Sequence, residues 1–513
     1  MLLPVPALAD YGLNPETGFL PADPPLRCLP PAYASWEAII SNLHPLLLSR
    51  RLREAVQAMP LLSTDHLQSE PEWRRAYVVL AFMLHAYVWG GDRPADRIPA
   101  NLSIPLLKVC DHLELPPVAT YAGVVLWNYR PVFPDEPADS LSNLATLCTF
   151  TGSLDEQWFY LVSVAMEARG ARTLPLMLDA IRAAREDEAE RVREALQEFA
   201  AIVSEICDLL EEMYRNCHPH AFYHGFRPYL AGSRNMAEAG LPRGILYEDG
   251  SGREEYRQYG GGSNAQSSLI QFFDIVLGVE HRPTGESAAA ESSSPDSEDR
   301  SEGPRARHNF IMDMRSYMPG PHRRFIEHVS SVANIREYVD AHRENHDLVF
   351  AFDAALAMVR ALRQKHLQMV TRYIIVKSRE TRDQAHAPAA NRSSTPQPMN
   401  TVINLANVNG SSDRKLRGTG GTALIEFLKQ ARDETGEPAI GSWARSILNA
   451  SSKSSSAASR AAAGRKRMVA HAPATAPSTP IPTVGEHADG KIEVVGLAGS
   501  WSLDTSEGGL CHW

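Results

Sequence analysis

The sequence predicts an all-α protein with a small N-terminal helical domain (1–140), a larger helical domain (141–433) and a disordered tail (434–513). Three observations lead there. Apolar residues recur at helical spacing over most of the chain. Strand signals are few and short, with no βαβ alternation. A Pro-rich connection, "NYRPVFPDEPADSLS" (128–142), separates the two helical regions.

The elements follow in order. "SWEAIISNLHPLLLSRRLREAVQAM" (35–59), "RAYVVLAFMLHAYVW" (75–89) and "QWFYLVSVAMEARGA" (157–171) each carry an apolar stripe of helical period. Residues 174–217 read as one long helix or two. "MVRALRQKHLQMVTRYIIV" (358–376) reads as a single continuous helix, with no Gly or Pro to interrupt it. Residues 283–307, 379–417 and the tail are rich in Ser, Pro, Ala and charge. They bury too little to offset their ordering entropy, so they are expected to be flexible insertions and a disordered tail. "GRKR" (464–467) reads as a solvated charge cluster in that tail, with a nuclear-import signal as the alternative.

The 513 residues carry a net charge of −10, and 44% are hydrophobic, which argues against a nucleic-acid footprint and for small-molecule or protein partners. No run approaches the ~20 apolar residues of a membrane span. The N-terminus lacks the basic region of a signal peptide. The six cysteines show neither CxxC pairs nor a disulfide framework, so the expected address is the cytoplasm with reduced thiols.

Several residues stand out chemically. His366 shares the apolar stripe with Val359, Leu362, Met369, Val370 and Tyr373, and Arg363 lies at its margin. Periodicity by itself favours a core histidine bonded to a carbonyl. The alternative is an axial iron ligand beside an arginine that pairs with an anionic cofactor group. "YGGGSNAQSSLIQFFDIVLG" (259–278) is a Ser-capped turn before a helix, or a place where backbone approaches a ligand. It matches no nucleotide-binding fingerprint. In "AFYHGFRPYL" (221–230), Arg227 sits among aromatics and wants a carboxylate, because a bare buried guanidinium is costly. Phe159 and Ser163 are four apart and face the same way. The "CHPH" at 217–220 lacks further ligands for zinc.

Together "GGSNAQSSLIQFFDIVLG", "MRSYMPGPHRRFIEHV" (314–329), "LRQKHLQMVTRYI" and "GTGGTALIEFLKQAR" (418–432) resemble, in order, the indoleamine 2,3-dioxygenase family. "LREAVQAMPLLSTDHL" (52–67), "HAYVWGG" (85–91) and "IPANLSIPLLKVCDHLELPPVATYAG" (98–123) agree with it, so the likeness covers roughly residues 10–432 apart from the insertions. The resemblance implies the two-domain helical fold of that family and a haem b cofactor. His366 would be the proximal iron ligand, Asp274 its partner, and Arg363 would bind a propionate. Phe159 and Ser163 would face the iron, Phe222 would stack on the indole, and Arg227 would hold the substrate carboxylate. Gly262, Ser263 and the loop Gly418–Thr422, including Thr419 and Gly420, would close over the substrate ammonium and haem edge. Tyr121 and Val125 would back the indole. Tyr160 and Tyr223 stand where relatives carry Phe and are expected to add hydroxyls near the pocket. Asn264 stands where Ala is common.

The implied activity is cleavage of the L-tryptophan indole by O2 to N-formyl-L-kynurenine, opening the kynurenine route towards NAD. No general acid or base is expected among these side chains. The implied partners are L-tryptophan, O2 and an electron donor that keeps the iron ferrous, with no nucleic acid and no membrane, in a monomer. The alternatives are a non-catalytic haem protein that stores or senses O2, and a low-affinity paralogue acting on another indoleamine.

Overall fold

The computed structural model describes residues 3–136, 140–284, 309–386, 419 and 424–448, together with strand residues 484–486, 492–496 and 499–502. The chain divides into two compact units, Met1–Ser454 and Ser455–Trp513. These limits do not coincide with the boundaries read from the sequence at 140 and 434.

The first unit is helical, as the periodicity predicts. The stretch 35–59 forms α1 (Ala34–Ser41), α2 (Leu43–Leu48) and α3 (Leu52–Ala58). Next comes α4 (Glu70–Trp89), whose start is fixed by a capping box between Ser69 and Glu72. Every residue of α4 from Arg75 to Trp89 is buried. The guanidinium in this buried run, Arg75, is met by both carboxylate oxygens of Glu37 at 2.9 and 2.7 Å. Helices α5 (Ala100–Leu113) and α6 (Leu154–Gly170) follow.

The stretch 174–217 is neither one helix nor two. It forms α7 (Thr173–Arg185), α8 (Ala189–Glu211) and the short α9 (Met213–Asn216). The break after Arg185 turns on Asp187, whose φ of 60° no helix tolerates.

Then come α10 (Ser268–Val276), α11 (Phe310–Met314), α12 (Gly320–Val332), α13 (Ile335–Ala341) and α14 (His346–Val370). The predicted helix 358–376 is the second half of α14, and at Thr371–Val376 it widens into a π-type turn before α15 (Lys377–His386). Helices α8 and α14 pack against each other along much of their length and form the centre of the unit. The chain resumes with α16 (Leu424–Glu434) and α17 (Ser442–Leu448).

Strands are short: β1 (Arg97–Ile98), β4 (Ile245–Tyr247) and β5 (Tyr256–Arg257) form one sheet, β2 (Tyr129–Pro131) and β3 (Leu144–Thr146) another. The second unit contains an antiparallel meander of β6 (Val484–Glu486), β7 (Ile492–Gly496) and β8 (Gly499–Ser502), within a stretch whose composition predicts disorder. Residues 434–448 also depart from that expectation. Glu434 and Thr435 are buried, and the Asp353 carboxylate accepts the N–H groups of Ile440 and Gly441 at 2.9 Å each. Residues 379–386 belong to α15 rather than to a loop. The insertion core 285–308, the remaining loop 387–418 and the "GRKR" cluster lie outside the described residues. Among the described residues no helix is long and apolar enough to cross a membrane.

Helix α6 carries side chains of the cavity described next, and its start is a cap. The Ser153 hydroxyl accepts the Glu156 N–H at 3.1 Å, while Glu156 reaches back to the N–H groups of Phe150 and Thr151 at 2.7 Å each. We expect Ser153→Ala to lower unfolding stability by about 1 kcal/mol, read as a shifted midpoint in urea at unchanged slope.

Candidate active site

Helices α6, α10, α14 and α16 and the loops between α5 and α6 and between α9 and α10 enclose a cavity of about 250 Å³ with mainly apolar walls. From α14 come Val359, Leu362, Arg363, His366, Met369 and Val370, the stripe that the sequence marks. His366 makes no hydrogen bond to any described residue. Burial and the nearby Arg363 push its imidazole down to about 4, so it is neutral at physiological pH with a free lone pair.

The opposite wall holds Phe159, Ser163, Met166 and Glu167 of α6, with Tyr121, Val124 and Val125. Phe222 packs on Phe159 with ring centroids 5.1 Å apart. Arg227 lines the same cavity, 4% exposed, its guanidinium 5.6 Å from the Tyr223 ring centre. Burial draws its affinity for the proton down, partly offset by Tyr223.

Arg227 sits in a tight 3₁₀ turn, Arg227–Leu230, held against α4. The His85 ring bonds the Tyr229 carbonyl through Nδ1 at 2.6 Å and accepts the Ala119 N–H at Nε2 at 2.9 Å. The Trp89 indole donates to the Ala231 carbonyl at 2.8 Å. This is the work of the "HAYVWGG" motif.

The glycine run is a close approach. A Cβ on Gly261 would collide with the Leu230 carbonyl and the Gly232 nitrogen, so only glycine lets this strand of chain lie against the Arg227 turn. Gly260 N–H donates to the Tyr317 hydroxyl at 2.9 Å, and Arg315 Nε donates to Gln271 at 2.8 Å, which is how the "MRSYMPGPH" stretch braces the loop. Ser263 caps only the short turn Asn264–Gln266; the cap of α10 is Ser267. The Thr419 hydroxyl donates to the Gly262 carbonyl at 2.7 Å, which brings this residue of the "GTGGT" run to the cavity rim. Gly420 and Thr422 lie outside the described residues.

Arg363 is engaged. Its Nη2 meets Asp274 Oδ2 at 2.6 Å, and Nη1 donates to the Thr435 hydroxyl. Asp274 also takes His281 Nε2 at 3.0 Å, and His281 Nδ1 meets Glu434 at 2.6 Å. With a carboxylate on each nitrogen, His281 donates twice and is an imidazolium. Burial works against its charge, but Asp274 and Glu434 outweigh it and raise its pKa. Burial likewise raises Asp274, but Arg363 and His281 hold the carboxyl at about 2.

Two expectations are corrected. Tyr160 and Tyr223 do not line the cavity: Tyr160 is fully buried behind Phe159, its hydroxyl donating to Glu156 at 2.9 Å, and Tyr223 packs beside Arg227. A tyrosine next to a cavity-facing phenylalanine on a helix points about 100° away from it. Sequence reasoning also passed over Glu167, His281, Glu434 and the α16 residues Leu424, Phe427, Leu428 and Ala431. Glu167 had a signal, since it follows Phe159 at i+8 and Ser163 at i+4. Burial pushes it up to about 7, against the bonds from Ser267 and Tyr121 that lower it, so the cavity holds one carboxyl that titrates near neutrality.

One helical cavity thus brings together a neutral imidazole and a buried arginine. Comparison with known proteins narrows the class. The family profile "Indoleamine 2,3-dioxygenase" matches residues 7–438. The chain is 40% identical to indoleamine 2,3-dioxygenase acdA of Aspergillus candidus over 83% of this chain and 96% of that one. It is 39% identical to the indoleamine 2,3-dioxygenase of Saccharomyces cerevisiae (84% and 93% covered) and 33% to the 6-hydroxytryptophan 2,3-dioxygenase fscD of Fusarium equiseti (83% and 96%). The chain belongs to the indoleamine 2,3-dioxygenase family, a family of oxidoreductases.

Two outcomes test this geometry. Tyr160→Phe should cost roughly 1.5–3 kcal/mol of stability, because buried Glu156 loses a donor, while substrate KM stays within about twofold. His281→Gln should flatten one part of the pH–stability curve. A raised histidine pKa contributes stability that is complete below about 6.5 and lost as pH rises through the higher folded value. Urea titrations should show that decline in the wild type and not in the variant.

Proposed function

We propose that the protein is a haem-dependent dioxygenase that opens the C2–C3 bond of the L-tryptophan indole with O2, giving N-formyl-L-kynurenine on the route to NAD. The observation that carries this reading is the meeting of neutral His366 and buried Arg227 in one apolar cavity. Among the described residues no cluster of His, Cys, Asp and Glu is suited to a metal ion. His366 would hold a haem iron through its imidazole, and the apolar walls suit the porphyrin of haem b. Asp274 keeps one buried oxygen, Oδ1, without a hydrogen-bond partner in the same cavity, an acceptor suited to orienting a ligating imidazole. Arg363 offers positive charge for a propionate. Haem b, when bound, supplies the O2 chemistry, and the protein supplies binding, orientation and exclusion of water.

In this reading Arg227 clamps the substrate carboxylate by two parallel hydrogen bonds. Phe222 and Phe159 hold the indole, with Tyr121 and Val125 behind it. Ser163 offers the hydroxyl nearest the reacting edge. Gly262, Ser263 and Thr419 border the ammonium. Residues 1–140 form the smaller domain of the family's two, contributing Tyr121, Val124 and Val125. The relatives named for indoleamine 2,3-dioxygenase activity support the reading, and the one named for 6-hydroxytryptophan makes the choice of indole a matter for experiment. We place the protein in the cytosol as a monomer with an electron donor; the five described cysteines are free, in keeping with a reducing compartment.

Reduced, haem-loaded protein mixed with L-tryptophan and O2 should yield stoichiometric N-formylkynurenine by mass spectrometry. Haem-loaded protein that forms none would overturn the proposal. His366→Ala should lose haem on gel filtration, and full retention would refute the ligand assignment.

A further inference from the structure

Helix α6 presents Phe159, Ser163 and Glu167 to the cavity as a row along one face. Phe222 and Phe226 pack on Phe159 with centroids 5.1 and 5.4 Å away, and Arg227 follows Phe226 directly. Glu167 lies two turns further on, roughly 12 Å of helix rise from Phe159. Arg227 and Glu167 line the same cavity, so an amino acid whose carboxylate rests on Arg227 has Glu167 among the groups open to its ring.

The Glu167 carboxylate is half satisfied. Oε1 accepts the Tyr121 hydroxyl at 2.9 Å and the Ser267 hydroxyl at 2.7 Å. Oε2 is buried without a hydrogen-bond partner, on a side chain only 2% exposed. A purely structural tie between α6, Tyr121 and the cap of α10 needs a single acceptor oxygen, which an amide would provide without charge. The second oxygen has no such structural use, and it belongs to a residue that lines the cavity.

We propose that Glu167 is a specificity-determining residue whose Oε2 accepts a hydrogen bond from a hydroxyl on the benzenoid edge of the substrate, so that the cavity favours ring-hydroxylated tryptophan. This rests on the reading of Arg227 as the carboxylate clamp. An ionised carboxylate only accepts, so it rewards an O–H and repels an ether oxygen. Glutamine has the same shape, keeps the bonds from Tyr121 and Ser267, and sets an NH2 donor where Oε2 stands, so it rewards the ether. A site built to bond one group discriminates strongly against the analogue that lacks it.

The test compares 5-, 6- and 7-hydroxy-L-tryptophan with their methoxy counterparts on wild type and Glu167→Gln, both loaded with haem. It is run at pH 8, above the value of about 7 to which burial raises Glu167. The hydroxy-to-methoxy ratio of kcat/KM should fall about tenfold in the variant at one ring position, and anaerobic calorimetry should show the same change in Kd. Taking ratios cancels the bulk of the methyl group and any general loss of activity. A fall of about fivefold or more at any position supports the proposal, and a smaller one at all three overturns it. If the wild type converts L-tryptophan but the ratio does not move, only the role of Glu167 falls. If it converts none of these amino acids, the clamp reading falls first. Should the variant not fold, the wild type decides: a hydroxy analogue must show a lower KM than L-tryptophan at one position, and higher values at all three refute the proposal.

Discussion

A buried chain of opposite charges, Arg363–Asp274–His281–Glu434, with Thr435 on Arg363, holds the His366 side of the cavity together. It joins three helices. Asp274 belongs to α10, Arg363 to α14 three residues before the imidazole, and Glu434 ends α16, whose apolar face closes the cavity. Each charge is removed from water, and burying it is tolerable only because the next one is within bonding distance. Pulling α16 away would strand His281 and Asp274 in an apolar setting, so the wall opposite α6 is held in a single arrangement.

The cavity uses the reverse strategy. Its walls are aliphatic and aromatic, and the few polar groups in it are therefore informative. Arg227 is set there by a backbone turn that His85 and Trp89 of α4 hold from behind. His85 does this as a neutral ring, pushed down to about 4 by burial, one nitrogen donating and the other accepting. Glu167, which lines the cavity, is held by one oxygen, and its other oxygen is buried without a hydrogen-bond partner. A low-dielectric pocket that carries a positive group and an acceptor orients an amphipathic amino acid more sharply than apolar packing does by itself.

Much of this was legible in the residues. The helical period placed His366, Arg363, Leu362, Met369 and Val370 on one face, and the structure puts that face on the cavity. The spacing of Phe159 and Ser163 marked the opposite wall. The glycine run reads as a turn or as backbone approaching a ligand, whereas the structure sets Gly261 against the chain at Leu230 and Gly232. The failures have local causes. Residues 174–217 look continuous because Glu186, Asp187 and Glu188 are all compatible with a helix, and only the packing of α7 on α8 demands the left-handed turn at Asp187. The family resemblance puts the hydroxyls of Tyr160 and Tyr223 near the pocket, but each follows a cavity-lining phenylalanine, and neighbours on a helix face different ways.

By itself the sequence determined the helical class, the stripe bearing His366 and the family, because periodicity and motif order are properties of the chain read in one dimension. Partnership was left to the tertiary structure. It decided that Arg363 pairs with Asp274, that His281 is doubly bonded and charged, that Tyr160 serves Glu156, and that Glu167 keeps an unmatched oxygen. Charge state and hydrogen bonding depend on which groups, often separated by a hundred residues or more, meet out of water, and no spacing along the chain encodes those meetings.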